Sequence, residues 1–99
     1  MSKNLSFLAL SYIFILNYSD LRNTKFGIAD LKNANLSRVD LRGAHIEWAN
    51  LSHTDLQDAV LDEIQVNYLK GKYNLQGTKV YMDKMGEIIA YEEYCIRGK

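Results

Sequence analysis

The chain has no proline, only six glycines and a single cysteine among its 99 residues. Turns must therefore be made largely by other residues, which suits the corner chemistry of Asn, Asp and Ser side chains. One cysteine, Cys95, excludes an internal disulfide and fits a reducing compartment, so a cytoplasmic location is expected. Net charge is missing too: 12 Lys and Arg balance 12 Asp and Glu. A neutral chain has no electrostatic footprint for nucleic-acid phosphates and no strong acidic field, so direct nucleic-acid binding is not expected. There is no long apolar run. The densest stretch, Leu5 to Leu16, is too short to cross a bilayer as a helix, and no membrane association is expected.

What the chain does have is a period of five between Ser19 and Leu61. Leu21, Phe26, Leu31, Leu36, Leu41, Ile46, Leu51, Leu56 and Leu61 recur at every fifth position. Two positions before each is a small or slim residue: Ser19, Thr24, Ala29, Ala34, Val39, Ala44, Ala49, Thr54 and Ala59. The residue between is usually Asp or Asn, as at Asp20, Asp30, Asn35, Asp40, Asn50 and Asp55.

Neither common element accommodates this spacing. Residues five apart on an α-helix point roughly 140° from one another, so the leucines would spiral round it. On a strand, steps of five would throw successive leucines to opposite faces. The pattern is satisfied if the backbone turns a corner after each quintet, so that the large residue and the small one both point inward. Four sides then close a coil of twenty residues, and coils stack about 4.8 Å apart through backbone hydrogen bonds.

The quintets Ala29-Asp30-Leu31-Lys32-Asn33, Ala34-Asn35-Leu36-Ser37-Arg38 and Ala49-Asn50-Leu51-Ser52-His53 resemble the A-(D/N)-L-x-x signature of the pentapeptide-repeat family. Val39-Asp40-Leu41 and Thr54-Asp55-Leu56 are close to it. Nine such quintets cover about half the chain. Lys25, His45 and Val60 depart from the Asp/Asn position, and Thr24 and Val39 from Ala; these loosen single corners without breaking the register. The resemblance implies an all-β fold: a right-handed quadrilateral β-helix of about three coils, with a C-terminal β-hairpin or short helical cap. It also implies a non-catalytic interaction protein, with self-association through a coil end or the C-terminal segment as one form. Some members mimic duplex DNA and inhibit DNA gyrase, which makes such mimicry the alternative function. A short neutral chain carrying Arg22, Lys25, Lys32, Arg38 and Arg42 in its repeats argues against it.

The whole chain reads as one domain, since a solenoid gains stability coil by coil and needs caps at its ends. Residues 1–18 read as a further β-coil, a helical cap or a targeting segment; Leu5, Leu10 and Ile15 keep the five-step. Residues 62–72 break the register. Helical spacing of Leu61, Ile64, Tyr68 and Leu69, with Gly71 as a C-cap, favours a short helical or irregular insertion over one more side. Residues 73–82 read as two further quintets, shifted by one. In 83–99, Asp83-Lys84-Met85-Gly86 suits a type I turn between β-rich flanks, followed by a short helix or tail from Tyr91.

Candidate chemistry is sparse. His45 and His53 fall at outward positions on different sides, without a cluster that would complete a metal site. No metal, cofactor or catalytic residue is expected. Asp20 and Asp40 stack one coil apart beside Arg22 and Arg42, which makes a neutralised surface ladder. The outward residues offer one candidate interaction surface. Ile28 and Trp48 are twenty apart and share a column, which Tyr68 joins if the array runs on without interruption. Tryptophan is enriched at interface hot spots. The bland alternative is that 62–72 or the C-terminal hairpin folds over this column, with Tyr81, Tyr91 and Tyr94 available to cover it.

Overall fold

The structure, a computed structural model, describes residues 19–97. The expectations for residues 1–18 lie outside the described residues. From Asp20 onward the chain returns beside itself every twenty residues, through parallel bridges Asp20↔Asp40, Lys25↔His45, Asp30↔Asn50, Asn35↔Asp55 and Asp40↔Val60. One bridge falls on each quintet. Between levels, the large residues Leu21, Phe26, Leu31, Leu36 and Leu41 donate their N–H upward, as in Leu21 N to Asp40 O at 2.9 Å and Leu36 N to Asp55 O at 2.8 Å. Return bonds such as His45 N to Thr24 O and Asp55 N to Ala34 O, both 2.9 Å, complete the ladder.

The corners follow from the residue between the small and the large one. Asp20, Asp30, Asn35, Asp40, Asn50 and Asp55 each accept, through Oδ1, the N–H two residues on. The side chain thus does the turn-forming that proline does elsewhere. The fifth residue then takes a positive φ, from 58° at Arg38 and His53 to 75° at Gly43. Asn23, Asn33 and Asp58 do the same. These bends aim the predicted leucines inward: Phe26, Leu31, Leu36, Leu41 and Leu61 are completely buried, with Ala29, Ala34, Val39 and Ala59 beside them.

Above the array the chain is not wholly β. Strand β1 (Val60–Asp62) leads into helix α1 (Glu63–Leu69); β2 (Lys79–Met82) and β3 (Glu87–Ala90) form a hairpin; and helix α2 (Tyr91–Arg97) follows. β2 lies parallel to β1 and antiparallel to β3, in the order β1-β2-β3. Val60 now faces Lys79, so this level is one residue shorter than those below. α1 causes the shift. It replaces part of a level with helical turns, and Val66 and Leu69 supply its buried apolar side chains. Asp62 and Gln65 form a reciprocal capping box at its start. The helix ends on Lys70 rather than Gly71, because the Lys70 N–H still reaches Val66 O and Gly71 keeps a negative φ. The quintet then resumes: Asn74 Oδ1 accepts Gln76 N, Gly77 takes φ 86°, and Leu75 and Thr78 are buried. The quintet expected after it becomes β2. The hairpin turn opens at Met82, whose carbonyl accepts both Met85 N and Gly86 N, one residue before the expected Asp83.

Where α1 replaces backbone ladder, side chains take over the pairing. The Gln65 Nε2 donates to Leu41 O and, at 2.9 Å, to Ala44 O. Asp62 Oδ2 accepts Gly43 N at 2.8 Å, and the Tyr73 hydroxyl lies 3.3 Å from Leu51 N and 3.4 Å from Ala49 O.

Two outcomes are expected. The Gln65→Leu variant keeps the volume but strands two carbonyls and the cap, and should lower unfolding free energy by roughly 3 kcal/mol in urea titration. Thr24 is fully buried with an unpartnered hydroxyl, whereas Thr54 Oγ1 donates to Leu31 O at 2.8 Å. Thr24→Val should therefore stabilise and Thr54→Val destabilise, each by about 1 kcal/mol in the same titration.

Candidate interaction surface

The side carrying residues 44–48 differs from the others at its corner. Elsewhere the fifth residue of the quintet takes the positive φ. At Ile28 and Trp48 it does not. A β-branched or bulky side chain is strongly disfavoured there. Gly27, one position earlier, takes φ 51° in place of Ile28, and the corner at Trp48 is made without a positive φ at all. Both turns still close, Ala29 N to Phe26 O at 2.8 Å and Ala49 N to Ile46 O at 3.2 Å. The bridges Lys25↔His45 and Asp30↔Asn50 bracket the two corners and set Ile28 and Trp48 in one column. Ile28 is 68% exposed and Trp48 73%. The Lys72 Nζ stands 5.8 Å from the Trp48 ring centroid and 3.4 Å from Glu47 O.

Tyr68 does not extend this column. The array is interrupted above Trp48, and Tyr68 sits on α1, half-buried and packed against the core. Burial is the main reason its hydroxyl is pushed up to about 12, with the charges of Glu47 and Asp62 adding to it. A hydrogen bond from the Ile46 backbone opposes the shift. Such a bond favours the phenolate, so it is the Ile46 N–H that donates. With α1 in this position, a cleft of about 220 Å³ opens between the helix and the coil side, lined by His45, Glu47, Asp62, Ile64 and Tyr68 among others. Ile64, on the exposed face of α1, is 74% accessible.

The three tyrosines available to cover the column are engaged elsewhere. Tyr81 lies under Arg42, whose Cζ is 4.8 Å from the ring centroid. Tyr91 and Tyr94 pack against the core beneath α2. His45 and His53 are not brought together: His53 lines a separate depression with Tyr73 and Asn74. The described residues contain no group of three His, Cys, Asp or Glu suited to a metal ion, and no helix long and apolar enough to cross a membrane.

The aspartate column is a neutralised ladder. Arg22 reaches Asp20 at 2.9 Å and Asp40 at 3.8 Å, and Arg42 reaches Asp40 at 2.6 Å. Hydrogen bonding to Asp20 raises the Arg22 guanidinium above its ordinary value, and Asp40 does the same for Arg42. Arg38 and Lys79 flank Asp58 at 3.7 and 3.9 Å. Such exposed pairs add little stability, but they cancel the negative charge along this side.

The family model for pentapeptide repeats matches residues 19–58, in eight copies. The ninth quintet of the sequence pattern, from Ala59, falls outside the match; there Asp62 is already the cap of α1. No curated protein and no solved structure matches the chain.

The state of Tyr68 has a readable consequence. Its proton is held more tightly in the folded chain than in the unfolded one, so its stabilising contribution is complete below pH about 10 and is lost as pH rises toward 12. Urea midpoints should fall across that window. The fall should be shallower in Tyr68→Phe, and titration by tyrosine absorbance should lose its latest-ionising component.

Proposed function

Residues 19–58 are a pentapeptide-repeat array, and on that premise we propose that the chain is a non-catalytic protein-interaction module built on a right-handed quadrilateral β-helix of about three coils. The side bearing Ile28 and Trp48 is its contact face for a protein partner. One observation carries this: two large apolar side chains, twenty residues apart in one column, stay exposed, while Tyr81, Tyr91 and Tyr94 are engaged elsewhere. An exposed aromatic beside an aliphatic residue on a rigid scaffold has the composition of an interface anchor. The ladder of Asp20, Asp40, Arg22 and Arg42 gives gyrase inhibition by DNA mimicry no support, because each carboxylate has a guanidinium beside it. Association of two copies through a coil end or the C-terminal segment is compatible with this function but independent of the face.

Trp48 lies mostly in solvent, so Trp48→Ala should change stability by less than about 0.5 kcal/mol. It should lower capture of the partner from native lysate at least about fivefold, as read by quantitative mass spectrometry of tagged chain against the variant. Ile28→Ala should lower it less. Equal capture by wild type and Trp48→Ala rules this face out.

A further inference from the structure

We propose that the cleft between α1 and the 44–48 side receives an arginine side chain of the protein partner, next to the apolar contact made at Trp48. This rests on the interaction function above and specifies the partner's chemistry.

Three features of the cleft carry the inference. The first is size. A volume of about 220 Å³ is below the range of roughly 300–1,000 Å³ in which small-molecule sites usually fall, and suits one side chain. The second is charge. Glu47 and Asp62 both line the cleft, and no lysine or arginine does. Asp62 is held in place, Oδ1 accepting Gln65 N and Oδ2 accepting Gly43 N, and so contributes fixed negative charge. The carboxylate of Glu47 makes no hydrogen bond or ion pair among the described residues. Lys72 is directed at the Glu47 carbonyl and the Trp48 ring. The other polar side chains of the lining are the His45 imidazole, the Gln65 amide and the Tyr68 hydroxyl.

The third feature is the walls. Ala44, Ile64 and Tyr68 offer aliphatic and aromatic surface around the carboxylates. A guanidinium combines a flat face that stacks on an aromatic ring with a fork that meets a carboxylate at two points, and its stem is apolar. An ammonium offers a point charge without the flat face. The Glu47 carboxylate, without a partner among the described residues, and the Tyr68 wall therefore favour arginine. With Trp48 next in the chain after Glu47, the matching partner segment presents an arginine close to a large apolar residue.

The test uses the full chain, isotopically labelled, and two probes: N-acetyl-arginine amide and its uncharged isostere N-acetyl-citrulline amide. The arginine probe should give saturable shifts at the amides of Gly43, His45, Glu47 and Ile64, with a dissociation constant on the order of millimolar. The citrulline probe should bind at least about fivefold more weakly. Glu47→Gln, a partly exposed substitution that leaves the core intact, should weaken the arginine probe by a similar factor. Equal affinity for the two probes, or an unchanged affinity in Glu47→Gln, overturns the proposal. The two levels separate cleanly. If the probes do not discriminate while Trp48→Ala still loses partner capture, the cleft assignment falls and the contact face stands. If the probes discriminate but capture survives Trp48→Ala, the cleft binds arginine and the contact face is wrong.

Discussion

The ladder of main-chain hydrogen bonds between levels constrains everything else in this chain. Quintets bond to the level above in both directions, as with Leu31 N to Asn50 O and Asn50 N to Ala29 O. Buried peptide groups must be paired, so the register cannot slip without unpairing a whole level. The five-residue period is the sequence-level expression of that requirement. The Asp or Asn side chain bends the corner, the large residue fills the interior, and the ladder holds the levels at one spacing.

The same constraint explains the top of the molecule. The end of such a stacked ladder leaves a row of unpaired donors and acceptors, which invites further strands. Here the row above residues 41–51 is met by side chains in place of strand. Gln65 takes Ala44 O, Asp62 takes Gly43 N, Tyr68 takes Ile46 N and Tyr73 takes Leu51 N. On the neighbouring stretch, ordinary pairing continues through β1, β2 and β3. α1 is thus both a terminator of the ladder and the second wall of the cleft. The cleft exists because a helix, broader than a strand, sits where a fifth-residue corner would have been.

How much of this could be seen in the sequence depends on the range of the interactions. The inward leucines, the turn-forming aspartates and the pairs Asp20–Arg22 and Asp40–Arg42 are set within one or two quintets, and the pattern exposes them directly. The family match over residues 19–58 confirms that part of the pattern. The role of α1 was hidden. Leu61, Ile64, Tyr68 and Leu69 suggest a helix, but nothing local shows that Gln65 reaches residues 41 and 44, more than twenty positions back. That substitution also takes Tyr68 out of the exposed column and leaves Glu47 facing a cleft. A signal did exist for the corner itself. Ile28 and Trp48 occupy the position where Asn, Gly, Asp, His and Arg otherwise accept a positive φ, and neither residue suits it.

That misfit is the local feature on which the proposed contact face rests. An asparagine or glycine at positions 28 and 48 would restore the regular corner, remove exposed apolar surface and leave the core untouched. The chain instead carries a β-branched and an indole side chain there, at two successive levels, and changes the turn at both to keep them. Packing does not account for this, because both side chains lie mostly in solvent. A departure from a local rule that brings no gain in packing marks a site where another demand acts on the sequence. The core, the corners and the cap all obey the repeat's own physics. The column of Ile28 and Trp48 is where the chain departs from it, and the cleft lined by Glu47 opens directly beside that column.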